Sequence, residues 1–299
     1  MSIRTINPKE ATTAEVYGLL SGAVAPRPIA FASTVNAAGD VNLSPFSFFN
    51  MFSSNPPVLI FSPLSRIRDN SSKHTLENVL ETREVVINIA NYAIVEQMSL
   101  ASTEYEQGIN EFIKAGLTPE ASVLVKPPRV QEAPVALECK VTDVIKLGPE
   151  GGAGNLVICE VLLLHIAESI LDGTGKIDPY KLDAVARMGG DYYIRANGDS
   201  IFELPKPIRN KGMGIDQLPG FIRNSSLLTG NNLARLANTE AMPSAAEVEA
   251  FKSDPLVSYT LNKYKAEPEK LQIEMEILGK KLLEANQVND AWKVLLLGR

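Results

Sequence analysis

Up to about residue 205 the apolar and polar positions alternate as in β-strands, with short interruptions at helical spacing. Ile29-Ala-Phe-Ala-Ser-Thr-Val35 reads as a strand, Asn36-Ala-Ala-Gly39-Asp40 as a turn, and extended structure resuming at Val41 completes a hairpin. Pro57-Val-Leu-Ile-Phe-Ser62 and Val85-Val-Ile-Asn-Ile89 are predicted as buried strands, with a helix between them carrying Leu76, Val79 and Leu80 over 75–82. Thr12-Thr-Ala-Glu15 has capping-box spacing ahead of Val16, Leu19 and Leu20, so a short helix opens the chain. Val135, Leu137, Cys139 and Val141 alternate with Ala136, Glu138, Lys140 and Thr142, which predicts a strand with one wet face. Leu156 to Ile166 is almost continuously apolar and is predicted to be buried on both sides. Hairpins without βα alternation favour a barrel over a doubly wound sheet.

The remainder changes character. Ser244-Ala-Ala-Glu247 is a second capping-box match, and after Pro268 the residues Leu271, Met275, Leu278 and Leu282 form one helical stripe, read as a packing face. Glu276 and Lys280 stand at i,i+4 on the same helix. Pro205-Lys-Pro207, with Gly212 and Gly214 just beyond, marks a boundary. Residues 1–205 are therefore predicted as one domain and residues 206–299 as a helical extension.

Composition narrows the options. The 299 residues are 45% hydrophobic and 21% charged, a globular profile large enough for one big domain or two ordinary ones. A net charge of −6 argues against a broad nucleic-acid surface while leaving room for a local cationic cluster around a small anion. No apolar run approaches the roughly 20 residues that span a bilayer. The start lacks the apolar core of a secretory signal, so a cytoplasmic protein is expected, without a membrane or nucleic-acid partner. The two cysteines, Cys139 and Cys159, are read as buried free thiols. With His74 and His165 as the two histidines, a histidine-rich metal centre is excluded and no metal is expected. His165 shares its parity with Cys159, Val161 and Leu163 and is read as a satisfied core or edge histidine. No phosphate loop, HExxH helix or GxSxG elbow occurs, and Gly152-Ala-Gly154-Asn-Leu-Val157 fails the dinucleotide fingerprint.

What stands out is the density of hydroxyl, amide and cationic side chains in the first 80 positions. Ser33 and Thr34 end a strand, and Asn42-Leu-Ser-Pro-Phe-Ser-Phe-Phe-Asn50 follows. Ser62-Pro-Leu-Ser-Arg66, Arg68 and Ser71-Ser-Lys-His-Thr75 then lead into the predicted helix. A phosphate needs N–H donors, hydroxyls and a cation, and a helix N-terminus flanked by Lys73 and Thr75 supplies all three. Read alone, the same segment is a solvated loop with a helix cap. Pro45 interrupts a regular ladder while Phe46 and Phe48 offer apolar surface for a planar ring, or simply pack a barrel corner.

Taken in order, these segments resemble the flavin-reductase-like branch of the FMN-binding split-barrel family. Pro26-Arg-Pro-Ile-Ala-Phe-Ala-Ser-Thr34 is similar to its first strand, and Asn42 to Asn50 followed by Ser54-Asn-Pro-Pro57 to its flavin-ring segment. Lys73-His-Thr75, Asn78 and Val85-Val-Ile-Asn88 resemble a third block, and Ile177-Asp-Pro179 with Arg187-Met-Gly-Gly-Asp-Tyr192 the closing motif. The resemblance implies a mainly β fold with α, a Greek-key split β-barrel, plus a C-terminal helical extension outside the common barrel. It implies non-covalent FMN near a homodimer interface, with NADH or NADPH as electron donor. Carried over by residue, Ser33 and Thr34 lie near the phosphate or ribityl chain, and Asn42, Ser44, Phe46 and Ser47 line the ring. Ser62, Arg66, Lys73 and Thr75 hold the phosphate end. Consecutive strand residues face opposite sides, so one of Ser33 and Thr34 offers only its backbone. His74 stands where the family pattern has Asp. The implied activity is that of an FMN-dependent NAD(P)H:flavin oxidoreductase, with no catalytic residue assigned. A flavoredoxin-like electron carrier docking on a redox partner protein, or a non-redox flavin-binding sensor module, are the alternatives.

Overall fold

The computed structural model describes residues 2–204 and 211–298. The chain divides into two compact units, residues 1–202 and 203–299. Pro205-Lys-Pro207 of the predicted boundary lies outside the described residues.

The first unit opens with α1 (Thr13–Ala23), whose start is held by a reciprocal capping box between Thr12 and Glu15. The strands β1 (Ala30–Val35), β2 (Val41–Phe46), β3 (Phe49–Ser54) and β4 (Pro57–Phe61) follow, then α2 (His74–Thr82) and β5 (Glu84–Ile89). Two short helices, α3 (Val95–Leu100) and α4 (Glu111–Ala115), precede the small ladder of β6 (Pro119–Glu120) and β7 (Arg129–Val130). The long hairpin β8 (Val135–Lys146) and β9 (Asn155–Ile166), the turn-length α5 (Pro179–Leu182), and the ribbon β10 (Val185–Gly189) and β11 (Tyr192–Arg195) complete it.

Seven strands form one antiparallel sheet in the order β2-β1-β5-β8-β9-β4-β3. Its two edges, β2 and β3, are joined by Ser47 and Phe48 alone, a link that reaches on the order of 10 Å. The end of β2 and the start of β3 must therefore lie close together, so the sheet curls toward a barrel that stays split between β2 and β3. Ala30, Ala32, Phe46, Phe61, Val85, Ile87 and Val157 fill its interior, where Leu76 and Val79 of α2 also pack. On the other face of β1 and β2, Phe31 and Leu43 are covered by Met98 of α3 and Phe112 of α4.

Two strand readings change. β8 is not wet along one whole face, because Ala136 and Glu138 are buried beside Val86 and Val125. The cause is a covering loop: the fully buried Glu138 carboxylate accepts the N–H groups of Val123 (2.8 Å), Leu124 (2.6 Å) and Val125 (3.2 Å). Its Oε1 also lies 2.7 Å from His165 Nε2, which makes His165 a satisfied edge histidine. Burial alone would raise the Glu138 carboxyl, yet these donors hold it below the ordinary range. β9 is not buried on both sides either. Cys159 and Val157 face the core, whereas Leu162, Leu164 and Ile166 form an exposed apolar stripe.

Cys139 and Cys159 are both free and buried, and burial pushes the Cys139 thiol up to about 12 and that of Cys159 well above its usual value. Asn88, also fully buried, ties β5 into its surroundings by donating to Phe31 O (3.0 Å) and accepting from Val130 N (2.9 Å).

The second unit is helical: α6 (Gly220–Arg223), α7 (Gly230–Ala237), α8 (Ala245–Ala250), α9 (Pro255–Lys263), α10 (Pro268–Glu284) and α11 (Val288–Leu297). Trp292, Leu236, Leu283 and Leu295 make its core, and the Trp292 indole N–H donates to Leu236 O and Thr239 Oγ1. The stripe on α10 packs within this unit, around fully buried Met275. Glu276 does not pair with Lys280; it turns inward to accept from Ser225 Oγ and from Gln272 Nε2 (2.9 Å). Among the described residues, no helix is long and apolar enough to cross a membrane.

Candidate functional site

The site grows from the start of α2. Its N-cap position is Lys73, in extended conformation, and a lysine has no acceptor to offer the first-turn N–H groups. Among the described residues no side-chain hydrogen bond caps this helix, so its positive end stays open there. Arg66 and Lys73 stand beside that opening in one cleft, with Ser44 of β2 across from them. Arg66 is anchored by Ser72 O (2.6 Å) and Ser71 Oγ (3.0 Å), and Glu104 joins it at 3.1 Å to Arg68 at 2.8 Å. Lys73 differs from both arginines: among the described residues no carboxylate pairs with it. Partial burial, and next the Arg66 charge, lower its pKa below the usual lysine value, with Glu104 offsetting part of the effect. A half-buried cation, further cations and an uncapped helix N-terminus together make a cradle for a multiply charged anion.

A buried relay fixes the β2 side. Thr75 Oγ1 donates to Asn42 Oδ1 (2.6 Å), Asn42 Nδ2 donates to Glu111 Oε1 (2.8 Å), and Leu43 N donates to Glu111 Oε2 (2.9 Å). Burial holds the Glu111 carboxyl above its ordinary range, only partly offset by the Leu43 N–H, its own backbone N–H and the Asn42 amide. His74 lines the same cleft.

Five of the anticipated residues thus meet in one cleft: Asn42, Ser44, Arg66, Lys73 and Thr75. Ser47 lies in an adjoining cleft of about 170 Å³ with Pro45, Arg187 and Tyr193, and Ser102 belongs to both. Four others do not line either cleft. The Phe46 ring packs inside the barrel, its centroid 5.4 Å from that of Phe61. Thr34 faces α2, where Asn78 Nδ2 donates to its hydroxyl at 3.1 Å, and Ser33, on the opposite side of β1, is completely buried with no partner for its Oγ among the described residues. Ser62 donates its N–H to Phe48 O (2.8 Å), while its hydroxyl is so close to Gly154 that a Cβ there would sit 2.8 Å away.

Sequence reasoning missed Glu111, Glu104 and Ser102, which reach the site from a segment without any motif. Arg187 belongs to the closing motif, which implies no role for it. Its guanidinium stacks on Tyr193, 4.6 Å from the ring centroid, and donates to Gly190 O at 2.7 Å. No group of three or more His, Cys, Asp or Glu among the described residues could hold a metal ion.

Comparison with known proteins identifies the family. The family described as flavin reductase like domain matches residues 22–179. An uncharacterised protein of Aquifex aeolicus is 39% identical over 191 residues, which is 64% of this chain and 95% of that protein. Among solved structures, nitrilotriacetate monooxygenase component B from Bacillus cereus is 31% identical, covers 68% of this chain and 100% of its own, and superposes with a TM-score of 0.64. The 2-nitrobenzoate 2-nitroreductase of Pseudomonas fluorescens is 27% identical, with coverages of 68% and 96% and a TM-score of 0.58. Over residues 22–179, on sequence and on fold alike, this chain belongs to the flavin reductase like family.

Proposed function

We propose that the first unit binds FMN non-covalently and works as a flavin-dependent oxidoreductase, taking electrons from NADH or NADPH. The observation that carries this reading is the pairing of an uncapped α2 N-terminus with a half-buried Lys73 that has no carboxylate partner among the described residues. That donor set suits a phosphate dianion. Lys73, Arg66 and the first-turn N–H groups of α2 would hold it, with Ser44 supplying a hydroxyl. The Asn42–Thr75–Glu111 relay would keep β2 at a fixed distance from α2. The corner from Pro45 to Phe48 would carry the flavin ring, with Ser47 toward its polar edge and Arg187 beyond. Bound FMN would supply hydride chemistry; the protein groups orient it and balance its charge. Two related structures are named for a monooxygenase component and a nitroreductase, which supports a redox role.

An absorbance spectrum after adding FMN and removing the excess, followed by anaerobic NADH and then NADPH, tests the reading. Retained flavin bands that one nucleotide bleaches are the expected result. Bands that neither nucleotide bleaches would move the protein to the electron carriers, and a colourless protein would sink the reading.

We also propose that the protein is a homodimer. The exposed stripe Leu162, Leu164 and Ile166, 37% to 57% accessible in the single chain, is the kind of surface that a second copy covers. Sedimentation is expected to give twice the chain mass, and Leu164→Lys to give a monomer; a wild-type monomer at micromolar concentration would refute it.

A further inference from the structure

A second cleft, about 480 Å³ in volume, opens between α1 and the barrel. Its walls are apolar: Val16 and Leu20 from α1, Leu64 and Ile67 from the loop after β4, and the rings of Tyr17 and Phe48, whose centroids are 6.3 Å apart. One cation stands among them. Arg27 is 7% exposed, and its Cζ lies 5.7 Å from the centre of the Phe48 ring. Its Nη1 makes both of its side-chain hydrogen bonds, to Ser21 O and to Val24 O (2.6 Å), at the negative end of α1. Its Nε is buried without an acceptor. No carboxylate among the described residues lies within ion-pair distance of Arg27.

A buried guanidinium is stable when its donors are spent and its charge is matched. Here, among the described residues, the charge meets two carbonyl oxygens and the Phe48 ring, and the Nε–H and both Nη2 N–H groups are left without an acceptor. The missing partner is an anion, and the apolar, aromatic walls specify what carries it. We infer that this cleft is a binding site for a small aromatic carboxylate, its ring against the apolar wall that Tyr17, Phe48 and Leu20 form together and its carboxylate on Arg27. The volume lies within the range of small-molecule sites. Inorganic phosphate would leave the apolar walls bare, and a neutral arene would leave Arg27 unmatched. The cleft is separate from the cradle but shares its wall: along the loop after β4, Arg66 faces the cradle while Leu64 and Ile67 face the cleft. A ligand there would sit beside the corner proposed to carry the flavin ring.

Isothermal titration with benzoate and with its neutral isostere benzamide tests the inference, on FMN-loaded and on flavin-free protein. Benzoate is expected to bind at one per chain in both, and at least about tenfold more tightly than benzamide, as a charge-assisted pair requires. Arg27→Gln is expected to erase the preference. Because Arg27 also anchors α1, Val16→Trp serves as a second variant that fills the cleft and leaves Arg27 in place; it should abolish benzoate binding. Equal affinities for the two ligands, benzoate binding that survives Val16→Trp, or no binding at millimolar benzoate would each overturn the site. So would displacement of FMN by benzoate, which would assign the cleft to the flavin ring. Flavin retention is read by absorbance in the same samples, so the two readings can fail independently.

Discussion

Lys73→Met is expected to weaken FMN binding by about 30-fold, a loss of about 2 kcal/mol, within the range of a charge-assisted hydrogen bond. A fluorescence-quenching titration of FMN measures it. The protein itself should not suffer. In the free molecule the Lys73 charge is partly buried beside Arg66, so its removal relieves an unfavourable contact, and the melting temperature should hold or rise. The pH dependence carries the same signature. Because the Lys73 pKa is lowered in the folded protein, the cost of its charge is present below that value and is relieved as pH rises through it. An anion in the cradle favours the charged form. FMN affinity should therefore fall as pH rises through the lowered Lys73 pKa toward the ordinary lysine range, a slope that Lys73→Met should lose. An unchanged affinity in the variant would remove the phosphate from the start of α2.

The second large effect is on stability. Glu138→Gln leaves the covering loop facing an amide where three backbone N–H groups and His165 now meet a carboxylate. Loss of such a buried acceptor costs about 3 kcal/mol, or roughly 10 °C of melting temperature for a unit of this size. The acid limb should change too. A carboxyl held below its ordinary range contributes stability that is present above the unfolded value, near 4.3, and is lost as pH falls through the folded one. Thermal melts at pH 7 and in the acid range should show the variant both lower and flatter. A variant that melts with the wild type would mean that the loop holds without its carboxylate.

Neither residue shows its environment in one dimension to the same degree. Lys73 is legible because its partners are local: a helix start, a hydroxyl two residues on and Arg66 seven residues back. Glu138 is read as a wet-face residue because alternation reports which side of a strand a position faces, not what later folds over that side. The same limit applies to β9, where a continuous apolar run signals burial but cannot say whether the cover comes from this chain. Asn42 and Glu111 are 69 positions apart, and no motif links them, so their relay needed the fold. Phe46 and Phe48 look equivalent in sequence. Two residues apart and at the barrel corner, one fills the interior and the other borders the α1 cleft. The hairpins, the start of α2 and both capping boxes depend only on near neighbours, and these the residues specify directly.

The strand order has a consequence for synthesis. The side chains assigned to hold the phosphate, Ser44, Arg66 and Lys73, all precede position 76 and so leave the ribosome well before β8 and β9. Yet β3 is held by β4 alone, and β4 depends for its other edge on β9, through pairs such as Leu59 with Cys159. A nascent chain that has just emerged through α4 already contains Ser44, Lys73, Thr75 and Glu111, but one side of the seam has nothing to hold it in place. The pocket is written ahead of the last long hairpin and becomes a place only when that hairpin arrives.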